Sequence, residues 1–165
     1  MQILLVRHAI AFERNRKRWP DDSKRPLTPV GARRFRRAAA GLAKVVRTPQ
    51  RVLSSPYVRA LQTAAIVTEA ANWPAPRHCD ELAHGGSIDG VLAVLREYKV
   101  QRIALVGHEP DLSELATALV TRAGAGFNFK MKKGGVAILE FAGRPALGRA
   151  SLLAYLPPKV LRSIR

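Results

Sequence analysis

Three short apolar runs stand out along the chain, at residues 2–7, 51–54 and 102–106, and they end in Arg7-His8, Ser54-Ser55-Pro56 and Gly107-His108. Each is followed, at once or after a loop, by a segment whose apolar residues recur every three to four positions. That change of period predicts an α/β fold with parallel strands. A first helix is predicted from Thr28, an N-cap residue followed by Pro29 at the first helical position. Its apolar positions Phe35, Ala38, Ala39, Leu42, Val45 and Val46 share one face, while Arg33, Arg36, Arg37 and Lys44 lie largely off it and read as a solvated surface. A second helix is predicted with Ser55 as cap and Pro56 as first residue, running through Ala60, Ile66 and Val67 to about Ala71. A third runs from Ser87 through Val91, Leu92, Val94 and Leu95 to near Lys99, and a fourth follows Pro110 with the stripe Leu112, Leu115, Ala116 and Leu119. Val136–Phe141 and Ser151–Leu156 follow turn-forming residues and read as strands. Residues 12–26 are polar, basic and aperiodic, a long loop of the kind that often serves function. With no repeat and no linker, residues 1–165 are expected to form one domain.

Charge alters this picture more than length does. There are 28 Lys+Arg against 12 Asp+Glu, a formal net charge of +16. Such a field draws polyanions and speeds encounters with phosphorylated ligands. Nucleic acid is therefore a candidate partner, but no helix-turn-helix, zinc-finger or base-stacking motif accompanies the charge. The opening apolar run stops at Arg7-His8 without a cleavage site, and no stretch approaches the ~20 apolar residues of a membrane span. The lone Cys79 excludes an intrachain disulfide. A cytoplasmic monomer that does not engage membranes is the expected form. His78, Cys79 and His84 are close in sequence but lack zinc-ligand spacing, and there is no Walker-type lysine loop. The expectation is a site with no metal and no cofactor.

In open α/β sheets, ligands bind beyond the carboxyl ends of the parallel strands. His8 and His108 both fall there and can meet although 100 positions apart. Arg59 is expected in the first turn of a helix, where free N–H groups and the dipole favour an anion. Phosphoryl transfer is mostly positioning and charge stabilisation, and two guanidiniums, Arg7 and Arg59, can bracket phosphoryl oxygens. One histidine can act as nucleophile, kept neutral by the arginines. The second, if protonated, can donate to the developing charge.

Arg7-His8-Ala9, Arg25-Pro26-Leu27-Thr28-Pro29-Val30-Gly31, Ser54-Ser55-Pro56 with Arg59 and Gln62-Thr63-Ala64, and Val106-Gly107-His108-Glu109-Pro110 together resemble the histidine phosphatase (phosphoglycerate-mutase-like) superfamily. Among its members, the small SixA-type phosphohistidine phosphatases are the most similar, and the resemblance spans essentially the whole chain. It implies a three-layer α/β sandwich around a mixed, mostly parallel sheet. It also implies His8 as the phosphorylated nucleophile, with Arg7, Arg59 and His108 completing the phosphate pocket. Ala9 stands where glycine is common in the family. Larger members have an acidic proton donor between the second arginine and second histidine, and Glu81 is the nearest match here. A loosely placed acid would favour phosphoramidate or aryl phosphate over alkyl phosphate, because a protonated phosphohistidine leaves as neutral imidazole.

Arg25 and Lys132 are further candidates for binding substrate phosphate. Asp21 and Asp22 could orient a pocket arginine, and residues 12–26, with Arg14, Arg16, Lys17 and Arg18, could form a partial lid facing an acidic partner. The 48 residues between Arg59 and His108 leave no room for a large cap domain. The expected activity is thus a metal-independent phosphatase of phosphohistidine in a signalling protein. A small-molecule or polyphosphate phosphatase of the same chemistry, and a non-catalytic phosphate- or nucleic-acid-binding module, are the alternatives.

Overall fold

In the computed structural model, which describes residues 1–121 and 129–164, the chain runs β1 (Gln2–Arg7), α1 (Pro29–Val45), β2 (Arg51–Ser54), α2 (Val58–Ala71), β3 (Arg77–His78) and α3 (Ile88–Glu97), then β4 (Arg102–Gly107), α4 (Asp111–Val120), β5 (Val136–Phe141), β6 (Ala150–Leu156) and α5 (Pro158–Ser163). Six strands make one sheet in the order β3-β2-β4-β1-β5-β6. β3, β2, β4 and β1 pair in parallel; β5 and β6 are antiparallel additions beside β1. The mixed, mostly parallel sheet flanked by helices is the one expected from the alternating periods.

The continuous apolar runs follow from burial on both faces. Along β1, Leu4 and Val6 join Val52, Ala104 and Val106 in a cluster with α1, α2 and α5, whereas Ile3 and Leu5 join Leu53, Ile103 and Leu105 against α3 and α4. Every one of these strand residues is at most 2% exposed. α1 begins as predicted, the Thr28 hydroxyl accepting from Gly31 N at 2.9 Å. Gly31 allows α1 to sit against the backbone after β1, since a Cβ there would lie 2.1 Å from the Ile10 carbonyl oxygen. Phe35, Ala38, Ala39 and Leu42 are buried, but Val45 is 52% exposed. It is the last residue of α1, where the helix overhangs its support.

Other boundaries differ from expectation. α2 begins at Val58, with Tyr57 at its N-cap and no side-chain cap bond; Ser55 and Pro56 belong to the preceding turn. α3 ends at Glu97, two residues short of the expected Lys99. β3, α5 and the short 3-10 helices Asp22–Lys24 and Asp80–Leu82 have no counterpart in the sequence pattern. β3 is two exposed residues, too short to alternate, and α5 begins at a Pro157-Pro158 pair that reads as a breaker. Trp73 is 3% exposed in the α1/α2 cluster, and Trp19 lies against Phe12 at 5.2 Å between ring centroids, each a packing residue.

The topology does the main work for function. β1 and β4 are parallel neighbours in register, Arg7 opposite Gly107, so the residues that follow them emerge side by side at the carboxyl edge.

Candidate active site

His8 N donates to the Gly107 carbonyl at 3.0 Å, and the two imidazoles of His8 and His108 lie 5.2 Å apart between centroids. The His8 Nδ1 lies 2.7 Å from the carbonyl oxygen of Ala9. A carbonyl only accepts, so Nδ1 carries the hydrogen and Nε2 keeps its lone pair. Ala9 N donates to Thr63 Oγ1 (3.0 Å), whose hydroxyl donates to the Arg59 carbonyl (2.7 Å), linking the segment after His8 to α2. Gly134 N donates to both the Arg7 and His8 carbonyls at 3.1 Å, and Arg7 N donates to Gly135 O. Gly134 has φ +77°, open to glycine without strain.

Around this pair lies a cavity of about 340 Å³ lined by Arg7, His8, Arg25, Arg59, His108 and Lys133, with Glu13, Arg14, His84 and Glu109 at its walls. Arg7 donates through Nη1 to the Met131 carbonyl. Arg59 donates to the Asp22 carbonyl at 2.7 Å and pairs with the Asp22 carboxylate at 3.2 Å. The same carboxylate receives Arg25 Nε at 2.8 Å. One acid from the long loop therefore sets the orientation of two pocket guanidiniums, the arrangement considered for Asp21 and Asp22 from the sequence. Asp21 instead caps the 3-10 turn, accepting from Ser23 N.

Four buried side-chain nitrogens among the described residues lack a hydrogen-bond partner: Arg7 Nε, Arg59 Nε, His108 Nδ1 and Trp73 Nε1. An unmet buried polar group costs about 1–3 kcal/mol. Three of the four belong to residues of one cavity, so the unmet demand is concentrated where an anion would be held.

His8 and His108 are 7% and 2% exposed. Burial pulls the His8 imidazole from its ordinary value down to about 3, with the Arg59 and Arg7 guanidiniums adding to the effect. Burial also pulls His108 down, to about 2, helped by His8 and Arg59. The sequence makes donation by the second histidine as a cation conditional on its protonation; burial holds His108 neutral, which leaves it a single N–H to donate. A stability consequence follows. The unfolded chain protonates both rings near their ordinary 6.5, whereas the folded chain does not. Stability is therefore full above pH 6.5 and falls as the pH is lowered, by about 1.4 kcal/mol per pH unit for each ring. Thermal denaturation between pH 6.5 and 5 should show a Tm that drops with pH in the wild type and drops less in His108→Gln; superimposable slopes would count against this account.

Other residues named from the sequence fall in different places. Arg25 lines the cavity and is 7% exposed. Lys132 is exposed and outside the cavity lining; Lys133 takes that position. Glu81 does not line the cavity either. It accepts from the Cys79 thiol at 3.3 Å and faces a small space beside Leu82, Ile88 and Leu112. Ser55, read as a helix cap, instead places its hydroxyl 2.8 Å from His108 Nε2. The sequence does not signal that role, nor Glu109 at the cavity wall, nor the pairing of His84 with Asp111. Nothing in their spacing signals them, because each contact joins segments far apart in the chain.

Two imidazoles flanked by buried guanidiniums thus stand together at the carboxyl edge of a mostly parallel sheet. Comparison with known proteins gives the family. Residues 3–84 match the model of the histidine phosphatase superfamily (branch 1). A protein of Picosynechococcus sp. with no assigned function is 34% identical over 139 residues, 82% of each chain. The structure of the protein histidine phosphatase SixA complexed with tungstate superposes with a TM-score of 0.81 and 27% identity, covering 98% of this chain and 99% of that one. The alpha-ribazole phosphatase of Shigella flexneri shares the fold at 18% identity, with a TM-score of 0.73 over 96% and 97% of the two chains. The chain belongs to the histidine phosphatase superfamily, and phosphatase chemistry is the activity this membership supports. Among the described residues no helix is long and apolar enough to cross a membrane.

Proposed function

We propose that the chain is a metal-independent phosphatase that forms a phosphohistidine intermediate on His8 and takes phosphohistidine on a protein as substrate. The observation that carries the chemistry is the His8 ring. Its Nδ1–H is tied to the Ala9 carbonyl, and this leaves the Nε2 lone pair for attack among Arg7, Arg59 and His108. Nε2 bonds to phosphorus as the bond to the leaving nitrogen or oxygen breaks, and that atom takes the electron pair. Water then attacks the same phosphorus, the P–N bond breaks, and the pair returns to Nε2. The guanidiniums hold the equatorial oxygens through both steps.

The substrate class draws support from similarity to SixA over nearly the full length of both chains. The short connection between Arg59 and His108 adds to it, since it builds no cap over the pocket and leaves room for a side chain presented by another protein. A panel assayed in excess chelator tests the reading: a phosphohistidine phosphotransfer protein, p-nitrophenyl phosphate, a sugar phosphate, a nucleotide and polyphosphate. Phosphohistidine protein is expected to give the highest kcat/KM. A small ester or polyphosphate ahead of it would move the assignment to a small-molecule phosphatase. No turnover of any member, with salt-dependent nucleic-acid binding, would make the chain a binding module.

A further inference from the structure

The sequence directs attention to Glu81 as proton donor, yet that carboxylate is turned toward Cys79 and away from the cavity holding His8. A different titratable side chain stands at the cavity wall. His84 occupies a tight turn closed by Gly86 N donating to the Ala83 carbonyl at 2.9 Å, with Gly85 at φ +84°. A glycine at that third position is what the turn requires. A Cβ on Gly86 would come within 2.0 Å of the Glu81 carbonyl, so the second glycine is equally constrained. The turn lays His84 against Asp111, the first residue of α4. Nδ1 lies 2.8 Å from Asp111 Oδ2, and Oδ1 accepts from Gly85 N at 3.1 Å. The carboxylate is thus held from two sides. It fixes the ring with Nδ1–H toward itself, and Nε2 has no partner among the described residues. The side chain of Asp111 is 20% exposed and that of His84 44%, so the ring stands at the cavity mouth.

Building on the phosphatase reading above, we propose that His84, oriented by Asp111, is the general acid that protonates the leaving group and then the base that activates the hydrolytic water. In its cationic form His84 donates one N–H to Asp111 and the other, at Nε2, to the atom departing from phosphorus. That atom keeps the electron pair of the broken bond and takes the proton. Neutral His84 then receives a proton from the water that attacks phosphohistidine on His8, which restores the cation. An imidazole held by a carboxylate through Nδ1 is suited to this alternation, because the carboxylate stabilises the imidazolium and maintains its orientation. Asp111 acts through His84 and is a positioning residue.

A proton donor matters in proportion to how poor the leaving group is, and this separates the role from a structural one. The test compares p-nitrophenyl phosphate, whose phenolate leaves unaided, with β-glycerophosphate, whose alkoxide does not. His84→Asn and His84→Gln are expected to lower kcat on β-glycerophosphate on the order of 10²-fold or more while p-nitrophenyl phosphate changes by no more than about threefold. Asp111→Asn should show a smaller loss with the same dependence on leaving group. Equal losses on both substrates, or a loss confined to KM, would overturn the proposal, as that pattern belongs to a phosphate ligand or a packing residue. A wild type that hydrolyses the aryl ester but not the alkyl ester would also overturn it. Absence of turnover in the wild type of both esters and of a phosphohistidine protein would instead overturn the phosphatase reading, and this inference with it.

Discussion

Replacing His8 by alanine is expected to reduce turnover of p-nitrophenyl phosphate on the order of 10⁴-fold or more, with wild-type activity unaffected by excess chelator. The magnitude follows from what is lost. His8 supplies an electron pair aligned by a hydrogen bond through Ala9, on a ring that lies among Arg7, Arg59 and His108. Arg7, Arg59 and His108 remain in the variant and would still bind phosphate. Water entering the space of the ring would have no partner fixing its attack. Because the folded chain keeps His8 neutral at a cost that grows below pH 6.5, the variant should be no more acid-labile than the wild type. Loss of activity therefore would not reflect unfolding, and a melt at pH 6 checks this. Activity within tenfold of wild type would place the nucleophile elsewhere.

Arg59→Ala is the second large effect, a fall in kcat/KM on the order of 10³-fold, with Arg59→Lys recovering only part of it. Arg59 is 3% exposed and its guanidinium is held by both the carbonyl and the carboxylate of Asp22. A lysine restores charge but not the planar fork that contacts Asp22 and a phosphoryl group together. Asp22 keeps Arg25 in the variant, so the loop retains one of its two anchors. Steady-state kinetics with inorganic phosphate as competitive inhibitor separates the effects: binding should weaken and kcat should fall. A change in neither would remove Arg59 from the pocket.

How far these residues could be read from sequence depended on the range of the interaction. His8 and His108 were legible because strand-ending residues of parallel neighbours converge, and because an apolar run states where a strand ends. Thr28 was legible as a cap, acting within three residues. Ser55 looked the same by local rules, but its hydroxyl was drawn to His108, a contact 53 positions away. Glu81 and His84 sit in one short stretch, and their sequence context does not distinguish them. The Gly85-Gly86 turn reverses the chain between them and α3, so that His84 meets the pocket while Glu81 meets Cys79. Lys132 and Lys133 are both exposed and differ by one position, yet only Lys133 lines the cavity. Adjacent residues of like chemistry carry no pattern that ranks them.

His8 and the loop that orients the arginines are fastened by separate sets of bonds. His8 hangs from β1, an interior strand, through Gly107 on one side and Gly134 on the other. Residues 12–26 reach the pocket through Asp22 and are closed at their base by the Ala11–Leu27 bridge. Opening of that loop would break the Asp22 contacts without breaking any bond that holds His8. Movement of the loop would therefore change how Arg59 and Arg25 are aimed while the strand that carries His8 keeps its register beside β4.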